Sequence, residues 1–193
     1  MKKPYILIIL GCFFILLTAI PSFALSDNAE RFLRSCRALD SAFPPENWDR
    51  YDLRDAAIEV LDEIESGSYE KWPLDFCLKT LGHTQFPEDV DRILKYEDEM
   101  IYSVLRSLKG FPSGKAIECH IRWIDNKVGP KRELAIQGLA DIDFRKLKEA
   151  KKWHSRVLSE LNNARQRETE DWLIVEINDA LAAVQSAKLP ESK

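Results

Sequence analysis

The sequence predicts an all-α fold, a right-handed α-solenoid of about four helical hairpins preceded by one extra helix. Three observations lead there. Apolar residues recur at helical i, i+3, i+4, i+7 spacing in Met100 to Phe111, through Ile101, Val104, Leu105 and Leu108. The same face returns in Leu74-Cys77-Leu78-Leu81, in Ala135-Ile136-Leu139 and in Ile174-Ile177-Leu181. Glycine is scarce, at seven residues in 193, where a chain of tight turns and short strands would need more.

The first 24 residues form a separate object. Lys2 and Lys3 supply a positive start, Tyr5 to Ile20 is uncharged and largely apolar, and Ser22-Phe23-Ala24 follows a proline. That is the pattern of a secretory signal peptide, with cleavage expected after Ala24. The run is shorter than the ~20 residues that span a bilayer comfortably, so retention as an anchor is the weaker reading. Cleavage removes two lysines and no acid, leaving 26 basic against 32 acidic residues and a formal charge of −6 in place of −4. An acidic protein is poorly suited to nucleic acid or to an anionic membrane surface, and neither is expected as a partner. The expected location is the periplasm or the cell exterior, with no stable membrane insertion after cleavage.

Residues 25–48 hold the extra helix and a linker. Ser26 is placed to cap a helix over Asp27 to Ser41, which Pro44-Pro45 stops. Residues 49–187 make the repeat domain. Asp49 to Glu65 carries Leu53, Ala57, Ile58, Leu61 and Ile64 on one face and ends at Ser66-Gly67-Ser68. Tyr69 to His83 pairs with it. Pro87 opens a short helix through Val90, Ile93 and Leu94, and Met100 to Phe111 follows. Pro112-Ser113-Gly114 separates that from Ala116, Ile117, His120, Ile121 and Ile124, and Gly129-Pro130 precedes Ala135, Ile136 and Leu139. The last pair runs from Leu147 to Leu161, then, past a polar turn expected at Asn162-Asn163, from Glu170 to Val184. Residues 188–193 read as a disordered tail. Taking Leu81, Leu108, Leu139 and Leu181 as equivalent gives periods of 27, 31 and 42 residues. No such hairpin buries its own apolar face alone, so neighbours must stack and share a core.

These second-helix blocks resemble the HEAT-like repeat family, in its degenerate bacterial form. Arg54-Asp55-Ala56-Ala57 is similar to that family's Arg-x-Ala-Ala phrase, although it lies in a first helix. Arg132 and Asn178 depart from the pattern by standing where apolar residues are expected. The resemblance implies an α-solenoid that binds other proteins and carries no catalytic residues.

Chemistry leaves little trace. His83, His120 and His154 lie far apart, and none sits at metal-site spacing from another ligand, so neither a metal nor a cofactor is expected. Glycine-rich phosphate loops and nucleophile elbows are absent from the sequence. Cys36, Cys77 and Cys119 would meet an oxidising compartment, where Cys36 with Cys77 is the first pairing to consider; the ordinary role of cysteines on apolar helix faces is a small buried hydrophobe. The basic run Arg145 to Lys152 reads as a solvated helix face, since Glu149 interrupts it. Trp123 and Trp153 read as packing between repeats.

Function is therefore expected on the surface the second helices leave outward. Counting back from each equivalent leucine gives Lys79, Arg106, Gln137 and Asp179, and one turn earlier Asp75, Tyr102, Glu133 and Val175. The partner-binding candidates are Tyr102, Arg106, Lys79, Asp75, Gln137 and Glu133, tyrosine and arginine being residues that favour interfaces. An exported protein-binding scaffold is the expected function. The alternatives are a small envelope hydrolase with a carboxylate pair and a structural envelope protein.

Overall fold

The computed structural model describes residues 25–38 and 48–190. The expected signal segment, the linker with Pro44-Pro45 and residues 191–193 lie outside those described. Among the described residues there are nine α-helices and no strand: α1 (Asp27–Arg37), α2 (Arg50–Glu65), α3 (Leu74–Thr84), α4 (Val90–Leu94), α5 (Ile101–Ser107), α6 (Gly114–Trp123), α7 (Gly129–Ala140), α8 (Ala150–Arg167) and α9 (Asp171–Ser186). The all-α class is thus the observed one.

Local chemistry sets the helix ends. Ser26 caps α1 by accepting from the Ala29 amide at 3.1 Å, and its own hydroxyl donates to Glu59 on α2 at 2.6 Å. Asp49 caps α2 by accepting from Tyr51 at 2.8 Å. Several ends differ from the sequence expectation. Within the described residues α1 stops at Arg37, with Ala38 already outside helical geometry. α3 begins at Leu74 and not at Tyr69, because Pro73 disfavours helical backbone in the residue before it. It closes on Gln85 in the left-handed region, φ 51°. The central helix α5 ends at Ser107, and the chain turns through Gly110 at φ 66° before Phe111. The turn expected at Asn162-Asn163 is absent: α8 runs on to Arg167, since Leu161 and Ala164 continue its buried stripe while both asparagines face outward. Asn162 bonds back to the Leu158 carbonyl at 2.8 Å.

The packing order follows the chain. α1 lies on α2 and α2 on α3. Of the later helices, α3 packs on α5, α5 on α7 and α7 on α9, while α4 packs on α6 and α6 on α8. Two apolar clusters result. One joins α1 to α5 and takes Ala116, Cys119 and Ala135; the other takes Ile117, Ile124, Ile136 and Leu139 together with α8 and α9. Leu81, Leu108 and Leu139 are fully buried, each contributing on the order of 1.5–3 kcal/mol. Ala187 and Leu189 pack against the second cluster as partly buried hydrophobics.

Two glycines permit the closest approaches. A Cβ on Gly82 would lie 2.2 Å from the Ser107 carbonyl oxygen, so α3 meets the end of α5 only because that position has no side chain. A Cβ on Gly138 would lie 2.2 Å from the His120 ring, which locks α7 onto α6.

The two departures from the repeat pattern are accommodated in different ways. Arg132 is half-buried, with Nε 3.0 Å from Glu168, Nη2 2.5 Å from Glu170 and Nη1 donating to the Asn126 carbonyl at 2.8 Å. Its charge is neutralised by the turn between α8 and α9. Asn178 simply faces solvent, accepting from Arg165 at 3.0 Å.

Candidate functional site

The outward residues of α3, α5 and α7 are the ones to examine first. Tyr102 is 39% exposed, and the Lys131 ammonium lies 5.6 Å from its ring centre and 5.1 Å from that of Trp123. Arg106, one turn on, is exposed and its guanidinium makes no hydrogen bond or ion pair among the described residues. The other four candidates are half-buried and already engaged. Asp75 accepts from the Ser103 hydroxyl on α5 at 2.5 Å and pairs with Lys79 at 2.5 Å. Gln137 donates to Glu133 at 3.3 Å. Asp75 therefore tethers α3 to α5, a structural task the outward position alone does not reveal.

The fold brings Lys79 and Arg106 to the lining of one depression, which Glu133 and Gln137 do not line. Lys79, His83, Arg106, Ser107, Lys109 and Asp141 line a shallow depression of about 420 Å³ at the ends of α3, α5 and α7. Lys131 escapes sequence reasoning, and Trp123 enters it only as packing. Lys131 stands in the first turn of α7, just after a break, where no repeat position marks it.

On the opposite helices, Val90, Leu94 and Trp153 line a second depression of about 590 Å³ between α4, α6 and α8. Trp153 also sits so close to Gly114 that a Cβ there would be 2.4 Å from its ring, so this tryptophan packs α8 against the start of α6. Trp123 Nε1 donates to Glu97 at 2.7 Å, and Arg122 reaches the same carboxylate at 2.5 Å.

Titration behaviour bears on the hydrolase alternative. An acid/base pair needs two carboxyls pushed in opposite directions. Burial works to raise Glu97, but hydrogen bonds from Arg122 and Trp123 outweigh it and hold the group below its ordinary range. Glu65 behaves alike, burial being outweighed by Lys95 and Tyr96. Arg132 lowers Glu170, and Arg145 lowers Asp143. Every carboxyl shift resolved among the described residues is downward, which is the behaviour of ion pairs.

The three described cysteines are buried and unbridged. Burial pushes the Cys36 and Cys119 thiols up to about 12 and raises Cys77 as well, so all three are neutral and poor nucleophiles. Each sits in the first apolar cluster as a small hydrophobe. His120 is enclosed, its Nε2 3.2 Å from the Leu108 carbonyl, which fixes the proton on that nitrogen and leaves Nδ1 without a partner. His154 donates from Nε2 to the Val184 carbonyl at 2.8 Å and meets Phe144 edge-on. In the basic run, Arg145 pairs with Asp143, Lys152 with Glu149 and, beyond it, Arg156 with Glu160. Among the described residues no three metal-ligating side chains converge, and no helix is long and apolar enough to cross a membrane.

The chain matches no protein-family model, no curated protein and no solved structure.

Proposed function

We propose that this protein is an exported scaffold that binds another protein through the outward face of α3, α5 and α7, its hairpins forming a HEAT-like α-solenoid without catalytic residues. The observation that carries the reading is the packing order: α3, α5, α7 and α9 contact one another in chain sequence, and so do α4, α6 and α8. Stacked hairpins have that order, and they expose one row of helices as a continuous surface. Tyr102 and Arg106 are the two candidates on that row left exposed, and both residue types dominate interface energetics.

Tyr102→Ala combined with Arg106→Ala should leave the far-ultraviolet circular dichroism unchanged and weaken capture of a partner from envelope extract by roughly 30-fold, the effect of removing a strong anchor. Unchanged capture rejects this face. Export has its own measurement: mass spectrometry of the protein from its source cell should find Leu25 as the first residue, whereas a start at Met1 would contradict cleavage.

A further inference from the structure

We propose that the solvent side of α9 docks a cationic amphipathic helix of the partner protein, whose apolar residues cover Trp172 and Val175 and whose lysines or arginines face Glu176 and Asp179. The proposal rests on the binding-face reading, carries that face on from α7 to α9, and adds the chemistry of what is bound.

The outer side of α9 is apolar where water would favour polar groups. Leu173, Ile177, Ala180 and Val184 bury one side of the helix. Trp172, Val175, Asp179 and Ala183 recur at the same helical spacing on the other. Trp172 is 43% and Val175 56% exposed, and Ala182 and Ala183 are exposed beside them. α9 packs on α7 and α8, and no later helix follows it among the described residues. The closing helix of a stack ordinarily turns a polar side to solvent. The Trp172 ring is also held in place: its Nε1 donates to Glu170 at 2.8 Å, and a Cβ on Gly129 would stand 3.0 Å from it. An anchor fixed before binding loses little freedom when it is covered.

Charge selects the occupant. α9 holds Asp171, Glu176 and Asp179 and no lysine or arginine, whereas every other described α-helix carries at least one. None of the three carboxylates makes a hydrogen bond or ion pair among the described residues. Arg165 reaches α9 from α8 at Asn178, on a different side of the helix from Trp172. α7 and α9 run parallel, since Gly129 meets Trp172 at their starts while Ala140 and Ala187 line one depression at their ends. Glu133, one turn beyond Gly129, therefore stands level with Glu176, one turn beyond Trp172, and its own partner is the uncharged Gln137.

Other occupants fit this surface less well. Nucleic acid and an anionic membrane are repelled by it. A second copy brought up by a two-fold axis sets the same carboxylates against one another. Among the described residues no three metal-ligating side chains converge, so a metal ion is not what gathers the acids. A helix with an apolar stripe and a basic border matches both the unopposed charge and the helical recurrence of Trp172, Val175 and Asp179.

The test is titration of the full chain, by fluorescence anisotropy and by amide chemical shift, with a tetradecapeptide of leucine and lysine at helical spacing. The controls are the same peptide with glutamate for lysine, the same with serine for leucine, and phosphatidylglycerol/phosphatidylethanolamine vesicles. The lysine–leucine peptide should bind about tenfold more tightly than either altered peptide. Glu176→Gln with Asp179→Asn should remove about the same factor and flatten the salt dependence. Val175→Ser should remove about threefold and leave the salt dependence as it is. Shifts should centre on the Trp172 indole and on the amides from Trp172 to Ala183. Equal binding of the glutamate–leucine peptide, or full binding by the Glu176→Gln, Asp179→Asn protein, overturns the proposal. So does attachment to vesicles that Val175→Ser abolishes, or dimerisation of the free chain that Val175→Ser abolishes, which gives the face to a second copy. If Tyr102→Ala with Arg106→Ala abolishes partner capture while Glu176→Gln with Asp179→Asn leaves the peptide fully bound, the α9 site fails and the face of α3, α5 and α7 stands. If the peptide binds through α9 but Tyr102→Ala with Arg106→Ala leaves capture intact, the α9 site stands and the earlier face fails.

Discussion

Replacing Arg54 with alanine should destabilise the protein by about 3–5 kcal/mol, the largest effect expected of any exposed or half-buried side chain here. Arg54 on α2 donates through Nε and Nη2 to the two oxygens of Asp89, both at 2.7 Å. Asp89, just before α4, is 3% exposed. The guanidinium also lies 4.7 Å from the Phe86 ring centre, while Arg50 takes the same ring at 4.3 Å. Truncation therefore leaves a buried carboxylate with its charge uncompensated, and desolvation dominates the loss. A buried pair is not itself strongly stabilising, because withdrawing both ions from water offsets their attraction. Hence Arg54→Met with Asp89→Leu should recover most of the deficit that Arg54→Ala creates. Urea denaturation of the three proteins measures this, and a loss below about 1 kcal/mol for Arg54→Ala would mean that water reaches the pair.

Acid should weaken the fold well before the carboxylates protonate. Enclosure of His120 pushes its pKa down from 6.5 to about 4, the Leu108 carbonyl opposing that shift only in part. The folded protein thus keeps the ring neutral where the unfolded chain already binds a proton. Stability is complete above pH 6.5 and falls as pH drops toward 4, by on the order of 3 kcal/mol in all. Glu65, Glu97 and Glu170, held below the ordinary 4.5, add their losses only below that value. The window from 6.5 to 4.5 therefore belongs to the histidine. Denaturation midpoints of the parent should decline across it, and those of His120→Gln should be flat. The same slope in both proteins would assign the acid sensitivity elsewhere.

Arg54 and His120 also show what the letters reveal and what they do not. The all-helical class was legible because the 3.6-residue period and the proline and glycine breaks are local, and α2, α6 and α9 appear near where the pattern puts them. The Arg54–Asp89 pair was not. Asp89 is 35 residues away in sequence, on a 3-10 turn whose orientation depends on how two hairpins dock. His120 was visible as part of an apolar face, but its contact with Gly138 depends on a distance between helices that no spacing encodes. Asn162-Asn163 misled because asparagine marks turns as readily as it marks the wet side of a helix. Of the six candidate residues, Tyr102 and Arg106 are outward as the count from the equivalent leucines suggests. Asp75, Lys79, Glu133 and Gln137 are drawn into contacts with neighbours that a one-dimensional count does not contain.

The midsection carries a consequence for how the molecule comes apart. Ala116 and Cys119 face one apolar cluster while Ile117, between them in sequence, faces the other; Ala135 and Ile136 divide the same way. Damage at either terminus is therefore felt by the same pair of helices, α6 and α7. Parting them should therefore coincide with loss of both clusters, and amides there should be the slowest to exchange with solvent deuterium.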